Sequence, residues 1–312
     1  MRKYVFGVDV GGTTVKIGLF TTDGKLLENW EIVTRTEENG RFILPDIAES
    51  VKAKAKERGI PDEEIEGIGA GVPGPVNAEG LVVECANLGW GVTDAVKILS
   101  ELTGWSVKIG NDANVAAMGE RWQGSGKGFE NMVMVTLGTG VGGAMIVNGK
   151  VINGTHGSAG EIGHMTVFPE ETEKCGCGKK GCLEQYASAT GVVRLTRRYM
   201  AAHDTATPLR TTQPLTCRAV FEAAAGGDAV ALEVLEQFGD ILGRAIAWIT
   251  CVMDPEVVVI GGGVSRSGSI VTDYVGKYYK KYAFHAAREV ELRIAALGNK
   301  AGIYGGASLI LE

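Results

Sequence analysis

The sequence lacks the features by which a membrane protein, a nucleic-acid-binding protein or a secreted protein is recognised. Lysine and arginine number 31 against 37 aspartates and glutamates, so the net charge is −6 and no basic excess is present to bind a phosphate backbone. The longest largely apolar run covers residues 245–253, far short of the roughly 20 residues that a membrane span needs. The basic start is interrupted at Asp9 and Gly11, which argues against a signal peptide. We therefore expect a cytoplasmic protein that binds neither nucleic acid nor membranes.

Cysteine is scarce and unevenly placed, which argues against a disulfide scaffold. Three of the six cysteines stand alone, and the other three are Cys175, Cys177 and Cys182. Together with His164 they supply three thiolates and one imidazole, a ligand set that suits tetrahedral Zn²⁺. Four protein ligands predict a structural zinc site with no open position for catalysis. The alternative interpretation is three incidental cysteines in a loop.

Glycine is the one residue type in large excess. Its 46 copies among 312 residues are about 15% of the chain, against a usual share of about 7%. The glycines occur in short runs, which predicts places where the backbone approaches a ligand closely. The Walker A motif is missing, so a P-loop kinase is excluded. The length predicts about two domains.

Two parts of the chain share one order of patterns: a strand, a glycine turn, a second strand and an Asx-Gly-Lys turn. The glycine turns are Gly11-Gly12 and Gly138-Thr139-Gly140, and the Asx-Gly-Lys turns begin at Asp23 and Asn148. Such turns are typical of β-hairpins. The repetition predicts duplicated halves in which each glycine turn points backbone N–H groups at a shared ligand.

Between and after these hairpins, strand and helix patterns alternate. A helical pattern covers residues 46–58, strand signals follow at residues 68–72 and 107–110, and residues 114–122 are again helical in composition. A long helix is expected over residues 228–252, followed by a buried strand and the Gly261-Gly262-Gly263 turn. This alternation is typical of α/β architecture.

Three glycine turns are candidate phosphate or nucleotide sites. Asp9 stands at a strand end just before Gly11, Gly12 and Thr13, an arrangement that suits a phosphate chain with Mg²⁺. Residues 138–143 match the dinucleotide pattern, but strand signals follow them where a Rossmann unit requires a helix, so we interpret them as the second phosphate turn. The third turn contains Gly262 and Gly263. Ordinary hairpins and loops are the alternative interpretation.

Asn111 and Asp112 lie between a predicted strand and a predicted helix. Asp112 has two interpretations there, an N-cap for the helix or a general base for an attacking hydroxyl. Glu161 and Glu184 bracket the proposed zinc ligands, so metal binding would hold the two carboxylates side by side. Paired carboxylates and an asparagine are the acceptors that vicinal sugar hydroxyls need. For either glutamate, an exposed surface position is the alternative.

These motifs resemble those of the ROK family of sugar kinases, and within it the bacterial glucokinases, over essentially the whole chain. The motifs that carry the resemblance are Asp9-Val10-Gly11-Gly12-Thr13-Thr14, Ala70-Gly71-Val72-Pro73-Gly74-Pro75, Asn87-Leu88-Gly89-Trp90, Asn111-Asp112-Ala113-Asn114, Leu137-Gly138-Thr139-Gly140-Val141-Gly142-Gly143, Glu161-Ile162-Gly163-His164, the three bunched cysteines and Ile260-Gly261-Gly262-Gly263-Val264. The resemblance implies an actin-like, ribonuclease-H-like two-domain ATPase fold. We place a small α/β domain at residues 1–115 with a C-terminal helix at about 300–312, and a large α/β domain with the zinc loop at residues 116–299.

The resemblance also implies an activity, namely ATP-dependent phosphorylation of glucose at its 6-hydroxyl, with Mg²⁺ and a structural Zn²⁺. It implies that Asp112 is the catalytic base. The implied sugar contacts are Asn87, Asn111, Asp112, Glu161, His164 and Glu184. The implied phosphate and nucleotide contacts are Asp9, Gly11, Gly12, Thr13, Thr139, Gly140, Gly262 and Gly263. The implied metal ligands are His164, Cys175, Cys177 and Cys182.

Two other functions remain open at this point. One is a kinase for another hexose, such as N-acetylglucosamine, N-acetylmannosamine or fructose, because spacing does not reveal the orientation of one sugar hydroxyl. The other is a sugar-sensing regulator, since the family includes repressors with a helix-turn-helix segment ahead of the sugar-binding body. The first phosphate motif begins at residue 9, so we expect no such segment. The family resemblance further implies a homodimer or a higher homo-oligomer.

Overall fold

The structure is a computed structural model that describes residues 2–77 and 79–311. The strands in this part of the chain are β1 (Tyr4–Val10), β2 (Thr14–Thr21), β3 (Leu26–Val33), β4 (Ile65–Val72), β5 (Ser106–Asn111), β6 (Met132–Leu137), β7 (Val141–Val147), β8 (Lys150–Val151), β9 (Val257–Gly261) and β10 (Glu291–Ile294). The helices are α1 (Glu37–Gly40), α2 (Ile43–Glu57), α3 (Ala95–Thr103), α4 (Asp112–Gln123), α5 (Glu184–Ala187), α6 (Ala189–Ala202), α7 (Cys217–Ala225), α8 (Ala229–Met253), α9 (Ser269–Tyr282) and α10 (Ala301–Leu311).

The chain folds into two compact units, which we describe separately. Unit 1 contains the chain up to Gly128, residues Lys150–Ala159 and the chain from Ala296 onward, and unit 2 contains Phe129–Gly149 and Gly160–Ala295. A boundary after residue 115 would fall inside α4, which continues to Gln123. The expected domain assignment stays a prediction, and Met1 and Glu312, which it includes, lie outside the described residues.

The two units contain sheets of the same topology. In unit 1 the strand order is β3-β2-β1-β4-β5, and in unit 2 it is β10-β9-β6-β7-β8, which is the same order read from the other edge. In each sheet an antiparallel hairpin, β1–β2 or β6–β7, is extended by two parallel strands beside its first strand. The repeated topology confirms the prediction of duplicated halves in an α/β fold.

Each sheet is covered by helices whose apolar faces form its core. In unit 1, α2 buries Ile43, Ile47 and Val51, which repeat every four residues and therefore share one helix face. This helix begins three residues before the predicted start at residue 46, because Pro45 lies in the first turn, where a missing N–H costs nothing. In unit 2 the long helix α8 is buried along most of its length and packs on α9.

Helix α10 returns to unit 1 and packs against α4 through glycines. A Cβ placed on Gly305 would lie 1.6 Å from the carbonyl oxygen of Val115, and one on Gly119 would lie 2.3 Å from the carbonyl oxygen of Ala301. The two helix backbones therefore touch, which only glycine permits. This contact holds α4, and with it the Asn111-Asp112 segment, in place. Within residues 2–77 and 79–311, no helix has the length and apolar character for a membrane span.

We predict that Gly305→Ala lowers the free energy of unfolding by about 1–3 kcal/mol, because the added methyl group forces the two helix backbones apart. Urea and thermal unfolding of the purified variant measure the effect. Gly276→Ala is the matched control, since Gly276 lies in α9 and a Cβ there meets no atom within 4 Å. The control is expected to be neutral or slightly more stable. Equal stability of both variants would contradict the close packing of α10.

Candidate functional site

The candidate catalytic residues of unit 1 lie at the carboxyl ends of its parallel strands. In the strand register Asp9 of β1 is opposite Gly71 of β4, which is opposite Gly110 of β5, and Asn111 and Asp112 follow directly. Neither glycine places a side chain between the two aspartates, and a Cβ on Gly71 would lie 3.4 Å from the Asp112 Cα. Parallel pairing therefore brings two acidic residues, far apart in sequence, to one edge of the sheet.

Asn111, and not Asp112, caps helix α4. The Asn111 Oδ1 accepts hydrogen bonds from the backbone N–H groups of Ala113 at 3.0 Å and Asn114 at 3.2 Å. Its Nδ2 donates to the carbonyl oxygen of Gly74 at 3.1 Å, so the side chain also ties β5 to the loop after β4. The interpretation of Asp112 as the N-cap is therefore wrong. As the first residue of the helix, Asp112 is available for another role.

Asp112 is an exposed residue, yet its carboxylate is partly enclosed by neighbouring groups and its ionisation is disfavoured. The surrounding protein removes water from the carboxylate, and this desolvation raises the pKa of Asp112 above its usual value. The backbone N–H of Ala113 lowers the pKa, whereas the charge of Asp9 raises it further. A carboxylate that is accessible and has a raised pKa has the properties of a general base.

Asp9 is half-buried at the end of β1, beside Lys16 of β2. The Lys16 Nζ lies 3.6 Å from the Asp9 Oδ2. Desolvation raises the pKa of Asp9, and the Lys16 ammonium lowers it. Gly302 of α10 leaves room for the carboxylate, since a Cβ there would lie 2.6 Å from the Asp9 Cγ.

The glycine turn between β1 and β2 is held in shape by Thr34. The Thr34 Oγ1 donates to the carbonyl oxygen of Gly11 at 2.6 Å, and the Thr34 N–H donates to that of Thr13 at 3.0 Å. The carbonyl groups of the turn thus have partners from the protein. Asn87 belongs to a 3₁₀ turn, Ala86–Leu88, and is exposed, while its carbonyl oxygen lies 3.7 Å from a Cβ placed on Gly12. The structure therefore places Asn87 beside the first phosphate turn.

In unit 2 the second and third glycine turns lie at neighbouring strand ends. Parallel pairing of β6 with β9 sets Thr136 opposite Gly261. Gly262 has φ +84°, and a Cβ there would lie 2.5 Å from the carbonyl oxygen of Leu137, so only glycine fits. The start of α6 holds the second turn, because the Thr190 Oγ1 donates to the carbonyl oxygen of Thr139 at 2.8 Å.

Beside the third turn, unit 2 contains a cavity of about 690 Å³. Residues that line it include Ala189, Thr216, Phe221, Gly263, Val264 and Ile270. Gly263 thus borders a space of the size that small-molecule ligands occupy. Val264 also belongs to the motif at residues 260–264, whereas the cavity residues from α6, α7 and α9 were not predicted, because they form no motif along the chain. Trp90, the last residue of the Asn87-Leu88-Gly89-Trp90 motif, does not line this cavity and is buried in the core of unit 1.

The four predicted metal ligands of unit 2 come together. Their ligand atoms all lie within 4.8 Å of one another. The Sγ atoms of Cys177 and Cys182 are 3.7 Å apart, and the Sγ of Cys175 is 3.8 Å from the His164 Nδ1. Two sulfurs at about 2.3 Å from one tetrahedral zinc ion are about 3.8 Å apart, whereas a disulfide requires about 2.05 Å. The donor set and its spacing therefore fit Zn²⁺.

The His164 ring connects this cluster to both candidate sugar-binding carboxylates. Its Nδ1 faces Cys175 and lies 3.7 Å from the Glu184 Oε1, while its Nε2 lies 3.9 Å from the Glu161 Oε2. A metal on Nδ1 would leave Nε2 free to donate a hydrogen bond. The structure thus brings Glu161, His164 and Glu184 side by side, as the sequence predicts.

Glu184 also contacts the second phosphate turn. Its Oε1 accepts a hydrogen bond from the Cys175 Sγ at 2.8 Å, and its Oε2 lies 2.6 Å from a Cβ placed on Gly140. A side chain at position 140 would therefore push this carboxylate out of its place. One side chain thus connects the cysteine cluster with the turn that contains Thr139.

The sequence profile of the ROK family matches residues 5–312. The chain belongs to the ROK family. Glucokinase of Halalkalibacterium halodurans is 41% identical over 316 residues, which cover 100% of this chain and 96% of the relative. Glucokinase of Thermotoga maritima is 35% identical, with 99% of this chain and 97% of the relative covered.

A solved structure of another ROK protein has the same fold. The ROK family glucokinase of Streptomyces griseus, in complex with glucose and AMPPNP, is 31% identical, covers 98% of both chains and superposes with a TM-score of 0.77. This likeness confirms the α/β fold that the sequence resemblance implies. It also confirms the family resemblance itself.

We predict that the purified protein contains zinc and that Cys182→Ser lowers its zinc affinity by about tenfold or more, because a buried ligand is lost. The thermal midpoint should fall by about 5 °C, since a structural metal stabilises the folded chain. Elemental analysis and thermal unfolding, with and without a chelator, measure both effects. Cys251→Ser, outside the cluster, is the control and should retain zinc. An unchanged melting curve after complete removal of zinc would contradict a structural role.

Proposed function

We propose that this ROK chain is a glucokinase, which transfers the γ-phosphoryl group of ATP to the 6-hydroxyl of glucose. The full-length similarity to the glucokinase of Halalkalibacterium halodurans and to the glucose-bound kinase of Streptomyces griseus supports this activity. The observation in this chain that carries it is the accessible Asp112 carboxylate with a raised pKa at the end of a parallel strand. The implied homodimer stays a prediction.

Asp112 is the proposed general base. It orients the 6-hydroxyl and accepts its proton while that oxygen forms a bond to the γ-phosphorus and the bond to the leaving oxygen of ADP breaks. The raised pKa favours this role because the carboxylate takes the proton more readily than an ordinary aspartate does. Positioning and charge stabilisation provide the rest of the rate acceleration.

The sugar is bound by hydroxyl acceptors and donors. Glu161 and Glu184 are the proposed acceptors, and the His164 Nε2 is a proposed donor next to them. Asn111 uses its oxygen for the helix cap and one amide hydrogen for Gly74, so its second amide hydrogen is the group left for a sugar hydroxyl. Asn87 is proposed as a further contact.

The nucleotide is bound by the glycine turns and the cavity. Gly11, Gly12 and Thr13 are proposed phosphate contacts in unit 1, as are Thr139 and Gly140 in unit 2. Mg²⁺ bound with the nucleotide would neutralise phosphate charge, and the half-buried Asp9 at the strand end is a carboxylate that fits this purpose. The adenosine portion is assigned to the 690 Å³ cavity beside Gly262 and Gly263.

We predict that Asp112→Asn lowers kcat for glucose by about 10²- to 10⁴-fold, because asparagine cannot accept the proton. ADP release in the presence of glucose, fructose, mannose, N-acetylglucosamine and N-acetylmannosamine measures the activity, and glucose is expected to give the highest kcat/KM. The far-UV spectrum and the melting curve of the variant check its fold.

The outcomes of the sugar panel separate the candidate functions. A preference for an N-acetylated sugar or fructose would replace glucose as substrate and leave the kinase mechanism intact. ADP release that no sugar stimulates would contradict the kinase and favour a sugar-sensing protein. Unchanged turnover of Asp112→Asn would contradict the role of Asp112 as the base.

We predict that Gly263→Leu raises the KM for ATP by about tenfold with little effect on the KM for glucose, because the new side chain occupies the cavity. The backbone should tolerate it, since Gly263 has φ −62° and a Cβ there meets no atom within 4 Å. Steady-state kinetics with each substrate varied measures the effect. Gly276→Leu is the control outside the cavity, and equal KM values for ATP in both variants would contradict the nucleotide assignment.

A further inference from the structure

A buried carboxylate outside the candidate site receives an unusual number of hydrogen bonds. Only 3% of the Glu171 side chain is exposed, and its two oxygens accept six hydrogen bonds. The donors are the backbone N–H groups of Thr172 and Glu173, the Tyr186 hydroxyl, Arg194 and both terminal nitrogens of Arg198. We call Glu171, Tyr186, Arg194 and Arg198 the Glu171 cluster.

The Glu171 cluster is well compensated for its burial. Burial of a carboxylate is costly unless charged partners and hydrogen bonds replace the lost water. The Arg194 Nη2 lies 2.7 Å from the Glu171 Oε2, and Arg198 contacts both oxygens, at 2.9 and 3.1 Å. Arg198 and Tyr186 together hold the pKa of Glu171 well below its usual range, in spite of desolvation. The carboxylate is therefore ionised and firmly held at neutral pH.

We call residues 175–182, which contain the three cysteines, the cysteine loop. The Glu171 cluster attaches the start of this loop to helix α6. Glu171 lies four residues before the first thiol ligand, Cys175, and its Oε1 accepts from Thr172 at 2.8 Å and Glu173 at 3.0 Å. Its Oε2 is bound by the two arginines, which both belong to α6. The segment that leads into Cys175 therefore has its position set by α6.

The other end of the cysteine loop is attached to the same cluster. The Arg194 Nη1 donates to the carbonyl oxygen of Gln185 at 3.2 Å, and the Gln185 Oε1 accepts from the N–H of Cys182 at 3.1 Å. Tyr186, which donates to Glu171, is two residues after Glu184 in α5. The Glu171 carboxylate and its partner Arg194 thus fix both ends of the loop. They also fix the short helix α5, which begins with Glu184.

We propose that Glu171 is a positioning residue for the zinc centre and for Glu184, which it holds in place through the cysteine loop and α5. The inference rests on the proposed zinc site. Its physical reason is preorganisation: a loop already fixed at both ends loses less conformational entropy when its thiols close around a metal.

The test compares zinc release from Glu171→Gln and Glu173→Gln. Glutamine has the size of glutamate but loses the charge and places an NH₂ group against arginine donors. Glu173 contacts the same two arginines yet is 63% exposed, so it is the matched control. Zinc transfer to a chromogenic chelator is followed at 25 °C, with melting curves recorded alongside. Glu171→Gln should release zinc about 10- to 100-fold faster, with a raised KM for glucose, and Glu173→Gln should resemble the unaltered protein.

Three results would overturn the proposal. If Glu171→Gln melts at a lower temperature but releases zinc at the unaltered rate, Glu171 stabilises the fold without positioning the metal. If the unaltered protein contains no zinc, both the zinc site and this proposal fail, whereas the sugar panel still tests the kinase separately. Should Glu171→Gln not fold, Arg198→Lys replaces it, because it keeps the charge and removes the two-point contact. Unchanged zinc release in that variant would equally overturn the proposal.

Discussion

Parallel pairing beside each hairpin is the constraint on which the candidate site depends. It aligns the carboxyl ends of β1, β4 and β5 in unit 1, and of β6 and β9 in unit 2. Ligands of open α/β sheets bind at such strand ends. In unit 1 the aligned ends bear Asp9, Asp112 and the first glycine turn, and glycine at position 71 keeps side chains away from the space between the aspartates. In unit 2 they bear the second and third glycine turns. The placement of the candidate catalytic and phosphate-binding residues is therefore a consequence of strand direction and register.

Besides parallel strand pairing, the candidate site depends on glycine residues, whose role differs from one position to the next. At Gly305 it lets two helices touch and so fixes the position of α4. At Gly262 it permits a left-handed backbone against the end of β6, and at Gly140 it leaves room for the Glu184 carboxylate. The glycine excess in the composition therefore reflects close backbone packing as well as the proposed ligand contacts.

In unit 2 the cysteine cluster lies beside the two candidate sugar-binding carboxylates. His164 faces the thiols with one ring nitrogen and Glu161 with the other, so a proposed metal ligand also borders the proposed sugar-binding carboxylates. Glu184 extends the connection to the second phosphate turn. The Glu171 cluster supports this arrangement from the side of α6. Under the proposed function, a structural zinc ion would therefore lie next to the proposed sugar-binding carboxylates.

The sequence by itself determined those features that depend on residues close together along the chain. The hairpins, their glycine turns, the long helix α8 and the metal-ligand set could be predicted, because turn chemistry, hydrophobic period and ligand spacing are local properties. The tertiary structure alone decided the position of Asp9 and Asp112 at one edge of the sheet, the cap role of Asn111, the cavity beside Gly263 and the burial of Glu171. The Asn111 cap is a local contact, but Asn111 and Asp112 both suit an N-cap, so the sequence did not decide between them. Strand β10, short and only partly buried, shows no pattern of its own. The other three features join residues distant along the chain. Such contacts are set by register and packing, which one chain's periodicity does not encode.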